Sequence, residues 1–245
     1  MTKTAGRVTT TSSTPPITPS ATGKPSATST PTSIAPATIS PAATILPESF
    51  YVRDVVEVAR DLLGRELVRD DVRLRITEVE AYAEHDTACH AHRGRTPRNA
   101  VMFGPGGRAY VYLCYGLHVM LNVVTGEEGS AAAVLVRSAE PLAGLDVVRA
   151  RRGDREGPAL LTGPGKLGAA LALDVGWSGH RLFDAGGLEL HAGEPPGRVL
   201  AGPRIGIDYA NAKDRRRAWR FAAAETRWVS VPKSLRPTRG RAPAG

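Results

Sequence analysis

The residues from Arg75 to Asn99, RITEVEAYAEHDTACHAHRGRTPRN, crowd reactive side chains into one short stretch. Glu78 and Glu80 stand two apart, Tyr82 follows, and His85, Asp86, His90 and His92 fall within eight residues. Three readings fit these types: a metal centre, an acid–base site, or a solvated loop. Glu80, His85, Asp86, His90 and His92 are all acceptable metal ligands. No pair of them falls on H-E-x-x-H spacing, however, and Arg93, Arg95 and Arg98 would set three positive charges beside a cation. The expectation is therefore no metal and no cofactor. The acid–base reading starts from strand geometry, in which side chains alternate between faces. Glu78, Glu80 and Tyr82 then share one face unless a bulge intervenes, and they lead into a loop that carries His90. That arrangement is a pocket wall offering one base and flat surfaces. On these residues alone, a surface strand followed by a loop histidine is the favoured reading.

A second aromatic group, YVYLCYG, shifts the balance. Tyr110 and Tyr112 share a strand face, whereas Tyr115 points the other way and stands beside Gly116 at an expected turn. A tyrosine at a hairpin tip is costly to expose, although tyrosines also favour strands for packing alone. A carboxylate, several flat rings and a protruding ring suit an enzyme that extrudes a base from DNA. Unstacking a base costs a few kcal/mol, and stacking it on an aromatic side chain recovers roughly 1–3 kcal/mol. A base weakened by damage tips that balance further.

The charge agrees with a polyanionic partner. The 245-residue chain carries a formal charge of +8, and five of its 32 cationic residues are lysines, the rest arginines. Such a surface favours nucleic acid, though many basic proteins bind no polyanion. Cys89 and Cys114 are the only cysteines. Two are too few for a disulfide framework and form no C-x-x-C pair, which points to a reducing compartment. No apolar run reaches the length of a membrane span.

The elements that must position these side chains follow from pattern. Residues 1–46 are rich in Ser, Thr, Pro and Ala, with no acidic residue before Glu48 and no aromatic before Phe50. That composition predicts a disordered tail, with a transit peptide as the alternative. DVVEVARDLLG reads as an amphipathic helix capped by Asp54 and closed by Gly64. ELVRDDVRLRITEVEAY reads as two strands around Asp70–Asp71. AYVYLCYGLHVMLNVV reads as a hairpin, and AAAVLVRSA as a further strand. EPLAGLDVVRARR predicts a helix with Pro141 in its first turn, and GPGKLGAALAL a turn into a short helix. GLELHAG, RIGIDYA and RWVSV are later strand candidates. Residues 232–245 form a basic tail, expected to be frayed. The order predicts an α+β fold: a single domain over residues 47–231, with a mainly antiparallel, curved sheet and flanking helices.

The span from Phe50 to Val231 also resembles the alkyladenine (3-methyladenine) DNA glycosylases. ITEVEAY, HAHRGRTPRN, MFGPGGRAYVYLCYGLHVMLNV, VLVRSAEPL, TGPGKL and PRIGIDYA occur in that family's order. The resemblance implies a monofunctional enzyme of base excision repair. It would flip alkylated purines, with deaminated purines as a further candidate substrate, out of duplex DNA and hydrolyse the N-glycosidic bond. Glu80 would be the base that activates water, and Arg137 would help hold that water. Tyr82, His90, Tyr112 and Asn122 would line the base pocket, with His92 as a rival for the place of His90. Tyr115 would intercalate, with Met102 beside it at the flipping site. Arg93, Arg95, Arg98 and Lys166 would touch the DNA backbone. A lyase needs an amine nucleophile, and Lys3, Lys24, Lys166, Lys213 and Lys233 all lie outside the motif-dense stretch from Arg75 to Arg137. Water is therefore the expected nucleophile. The expected partner is double-stranded DNA containing damaged purines, with no membrane and a monomeric state. The compartment would be the cytoplasm or nucleoid in a prokaryote, and the nucleus or an organelle in a eukaryote. A non-catalytic nucleic-acid binder and a metal-dependent hydrolase are the rival classes.

Overall fold

Helix α1 (Val55–Asp61) begins where the sequence places it, because the Asp54 carboxylate accepts from the amides of Val56 and Glu57 at 2.8 and 3.2 Å. That cap satisfies two of the donors left open at a helix start. The computed structural model describes residues 44–153 and 155–238. Most of the expected tail, residues 1–43, lies outside them. Within the described part, Leu46 donates its amide to Leu190 and the Thr44 carbonyl accepts from Ala192. The folded body thus begins before Pro47. At the other end β9 (Arg236–Pro237) pairs with Leu200 and Ala201, so residues 232–238 are held rather than frayed.

The expected hairpin strands form as β1 (Glu66–Arg69) and β2 (Val72–Ala83), with Asp70 at φ 52° in the turn. They are followed by β3 (Ala109–Cys114), β4 (His118–Val124) and β5 (Ala132–Ala143). The later strands are β6 (Leu188–His191), β7 (Val199–Gly202) and β8 (Arg220–Ala223). All pairings are antiparallel, in the order β3-β4-β5-β2-β8-β7-β9, with β1 bridging β2 and β6. The remaining helices are α2 (Leu145–Arg152), α3 (Pro164–Ala170) and α4 (Ala212–Arg215). The expected α+β class, with an antiparallel sheet and flanking helices, holds. No helix among the described residues is long and apolar enough to cross a membrane.

Three local expectations are corrected. The helix predicted from Glu140 onward, EPLAGLDVVRARR, starts only at Leu145, because β5 continues to Ala143 and Pro141 stands opposite Leu74. The chain turns from strand to helix at Gly144, whose φ of 73° and closeness to the Asp71 carbonyl leave no room for a side chain. RIGIDYA and RWVSV are loops, and the strands in that region are instead β7 and β8. Both loops are hydrogen-bonded to buried glutamates of β2 and form no strand ladder: Ile205 to Glu80, and Ser230 to Glu78.

The sheet separates two apolar regions. Val79, Val111, Leu121, Val123, Val134 and Val136 point into the main core with α1, α2 and α3 residues such as Val58, Val148 and Leu167. Tyr110, Ala133 and Val124 belong to a smaller cluster with Cys89, Ala91 and Met102. A cavity opens on that second side.

Candidate active site

Register assembles the cavity floor and sets Glu80 at its edge. Glu80 stands opposite Leu135, Leu135 opposite Asn122, and Asn122 opposite Tyr110. Directly opposed residues share a face, so this row across β2, β5, β4 and β3 brings together side chains that are far apart in the sequence. Tyr112, Met120, Ala133 and Tyr82 flank the row on the same face. The cavity they enclose has a volume of about 500 Å³.

The alternation inferred for Glu78, Glu80 and Tyr82 is preserved, but the pairing shifts on both sides of Glu78. The irregularity leaves Arg137 between the two carboxylates. Its Nε donates to Glu78 Oε1 at 3.3 Å and its Nη1 lies 3.1 Å from Glu80 Oε2. Burial works against the Arg137 charge, but Glu80 and Glu78 outweigh it and raise the guanidinium pKa. The cation is therefore permanent.

The two glutamates have different surroundings. Glu78 is saturated: it also accepts from Ser138 Oγ, Arg220 Nη1, and the amide and hydroxyl of Ser230, at 2.7 to 2.9 Å. Glu80, equally buried, accepts from the Ile205 amide on Oε1 and from the Tyr82 hydroxyl on Oε2, each at 2.8 Å. An ionised carboxylate has about four lone-pair sites, and these contacts with Arg137 occupy three of them. Glu80 is not itself part of the cavity lining. The three groups that hold it, Tyr82, Arg137 and Ile205, all are. It stands directly behind the wall, with capacity for one more hydrogen bond.

The wall is aromatic. The Tyr110 and Tyr112 ring centroids are 5.3 Å apart, and the His90 ring meets Tyr112 edge-on at 4.7 Å. His90 Nδ1 lies 2.9 Å from the Tyr110 hydroxyl. Burial, and then the positive charge of Arg98, hold the His90 pKa below its ordinary 6.5. The ring is thus neutral at physiological pH. Burial raises the Tyr110 hydroxyl to about 12. Burial, then Glu80, raises that of Tyr82 well above its ordinary value, so Tyr82 donates to the carboxylate across the whole working pH range. Asn122 lines the floor with its Nδ2 tied to the Tyr110 carbonyl at 3.0 Å. Burial keeps Cys89, also in the wall, protonated by raising its pKa to about 11.

His90 lines the cavity and its rival His92 does not; His92 turns to the Glu84 carbonyl. Tyr115 stands at the mouth, 90% exposed, with φ 50° followed by Gly116 at 69°. A non-glycine residue held in that region costs on the order of 1–3 kcal/mol, a cost concentrated at functional sites. Met102 is placed differently from the expectation. It is 2% exposed and packed into the wall with Cys89 and Ala91, so its side chain is not free to enter a duplex. Leu117, 77% exposed at the same tip as Tyr115, is the apolar side chain that projects. Arg98 lines the cavity over the Tyr112 ring and donates to the Leu113 carbonyl. Arg95 lies over Phe103, and Arg93 is exposed on the same loop. Lys166 sits in the first turn of α3. Burial lowers its pKa first, and the charges of Arg152 and Arg155 lower it further, which marks three cations gathered together. Among the described residues, no group of three or more His, Cys, Asp or Glu side chains is arranged to hold a metal ion.

The motif-by-motif reading missed Ile205, Leu117 and Tyr209. Taking RIGIDYA for a strand hid the first and last, and the tip residue after Tyr115-Gly116 was legible as an exposed leucine only once the turn was known.

The model of the methylpurine-DNA glycosylase family matches residues 49–227, a span that holds every residue of the cavity. The chain belongs to the methylpurine-DNA glycosylase family. Its membership makes it a DNA glycosylase, a hydrolase of N-glycosyl bonds. A protein of Nitrosococcus oceani assigned as a 3-methyladenine DNA glycosylase is 56% identical over 189 residues, covering 77% of this chain and 94% of the relative. The DNA-3-methyladenine glycosylase of Arabidopsis thaliana is 53% identical over 192 residues, covering 77% of this chain and 76% of the relative. A Rhodopseudomonas palustris protein with the same assignment is 47% identical, covering 75% of this chain and 90% of the relative.

Proposed function

We propose that this glycosylase extrudes alkylated purines from duplex DNA into the aromatic cavity and releases them by water attack, with Glu80 as the base. The observation that carries the reading is a fully buried carboxylate held by Ile205, Tyr82 and Arg137 behind the wall of a ring-lined cavity. Water gives a proton to Glu80 while its oxygen attacks the anomeric carbon of the deoxyribose. The C–N bond breaks and its electron pair passes to the purine. A base alkylated at N3 or N7 is cationic before cleavage and leaves neutral, so it needs no proton from the protein. Electron-rich faces attract such a cation, and neutral His90 does not repel it. Deaminated purines such as hypoxanthine are neutral and need a proton on leaving; excising them is a finer part of the proposal, with no donor assigned.

Tyr115 and Leu117 would fill the gap in the duplex, and Asn122 would crowd the exocyclic amine of an undamaged guanine. Arg93, Arg95, Arg98 and Lys166 would contact backbone phosphates. Lys166, Lys213 and Lys233, the lysines among the described residues, do not line the cavity, which supports water rather than an amine as nucleophile. The working state would be a monomer, in a compartment that contains DNA.

The test is excision from a duplex carrying one alkylated purine, with EDTA present. Wild-type protein releases free base. Glu80→Gln retains binding and loses about 10²–10⁴-fold in rate, the usual contribution of a positioned base. Near-normal excision by Glu80→Gln removes that residue from the mechanism. Loss of wild-type activity in EDTA would favour a metal-dependent hydrolase, and binding without release a non-catalytic protein.

A further inference from the structure

Tyr209 belongs to the cavity but has no task in the mechanism above. The residue is 69% exposed, yet its hydroxyl donates to the Ala88 carbonyl at 2.9 Å. The side chain is therefore tethered at its tip while most of the residue stays open to solvent. The tether joins two loops that are locked together elsewhere. Asn211 donates its amide to Thr87 Oγ1 at 3.0 Å, and Thr87 donates its amide and hydroxyl to Asp214 at 3.0 and 2.7 Å. Arg204 and Asp86 form an ion pair between the same loops with both side chains fully buried. One of these loops supplies the Ile205 amide to Glu80, and the other carries His90. A large ring held open to solvent at a cavity mouth loses little freedom on binding, because its ordering has already occurred in the fold.

We propose that Tyr209 is an outer stacking contact for the extruded purine, and so a residue that sets affinity for the damaged base. The assignment rests on the base-extrusion reading. The ring offers a π-face, which accepts any base and favours a cationic one. It lines the same cavity as Tyr82, Tyr112 and His90 and is largely exposed, so it would cover a part of the nucleotide that they leave open.

Binding is measured with two duplexes of one sequence. One carries N7-methylguanine on a sugar fluorinated to block cleavage, and the other a tetrahydrofuran abasic analogue at the same position. Tyr209→Ala is expected to lower affinity for the methylguanine duplex by roughly tenfold and to leave that for the abasic duplex unchanged, which also reports an intact fold. Tyr209→Phe, which keeps the ring and loses the tether, recovers most of the loss. Equal losses on the two duplexes, no loss on either, or a Tyr209→Phe defect as large as that of Tyr209→Ala would each overturn the assignment. Free-base release by wild-type protein from the unfluorinated duplex tests the underlying reading separately. Release combined with unchanged Tyr209→Ala affinities removes the stacking contact alone, and no release removes both.

Discussion

His90 shows how one side chain carries two requirements at once. It is flat and close enough to Tyr112 to build the wall, and under the proposed mechanism it must be uncharged to receive a cationic base. Burial and Arg98 supply the second condition by making the protonated ring unfavourable. The folded protein therefore binds a proton here less readily than the unfolded chain does. Stability owed to His90 is whole above pH 6.5 and is lost as pH falls below that unfolded-state value towards the lower folded one. Urea midpoints at about pH 7.5 and about pH 5.5 should fall further for wild type than for His90→Gln. Equal falls would mean that the ring's surroundings do not disfavour its charge. Over the same acid range, excision of a cationic purine should weaken as the ring becomes charged.

At the scale of the element, β2 does most to define this molecule. Its first half pairs with β1, and its second half, squeezed between β5 and β8, carries both glutamates. Glu78 ties β2 to β5 through Arg137 and Ser138, to β8 through Arg220, and to the loop after β8 through Ser230. Removing this carboxylate while Arg220 and Arg137 stay buried leaves uncompensated charge, which costs about 3–5 kcal/mol. Glu78→Ala should therefore destabilise the fold by that amount in urea denaturation. A loss below about 1 kcal/mol, the scale of an ordinary surface change, would show that the network is not a structural tie. Glu80 lies two residues away with a sparer set of partners, so one strand holds a structural carboxylate and the proposed catalytic one.

For the whole molecule, the charge of +8 bears on duplex affinity more than on the cavity. Each phosphate neutralised releases counterions and steepens the dependence of binding on salt. Arg93→Ala, on the exposed loop beside the cavity, should weaken binding to lesion and undamaged duplexes alike and lower the log–log salt slope by about one. An unchanged slope would place that loop away from the backbone.

The sequence by itself determined the chemistry on offer and the side of each strand on which it stands. Glu80 and Tyr82 alternate with Val79 and Ala81, and Tyr110 and Tyr112 with Val111, so facing was legible from a two-residue period. The hairpin tip, the α1 cap and the ordered motifs were legible for the same reason: each is a local pattern. Only the tertiary structure decided the register that sets Glu80, Leu135, Asn122 and Tyr110 in one row, because pairing between distant strands depends on packing across the whole sheet. It also decided that Arg137 falls between the two glutamates, that Met102 is buried while Leu117 projects, and that RIGIDYA is a loop delivering Ile205 and Tyr209 to the cavity. Those residues meet across long separations, where no local preference specifies which partner a side chain finds.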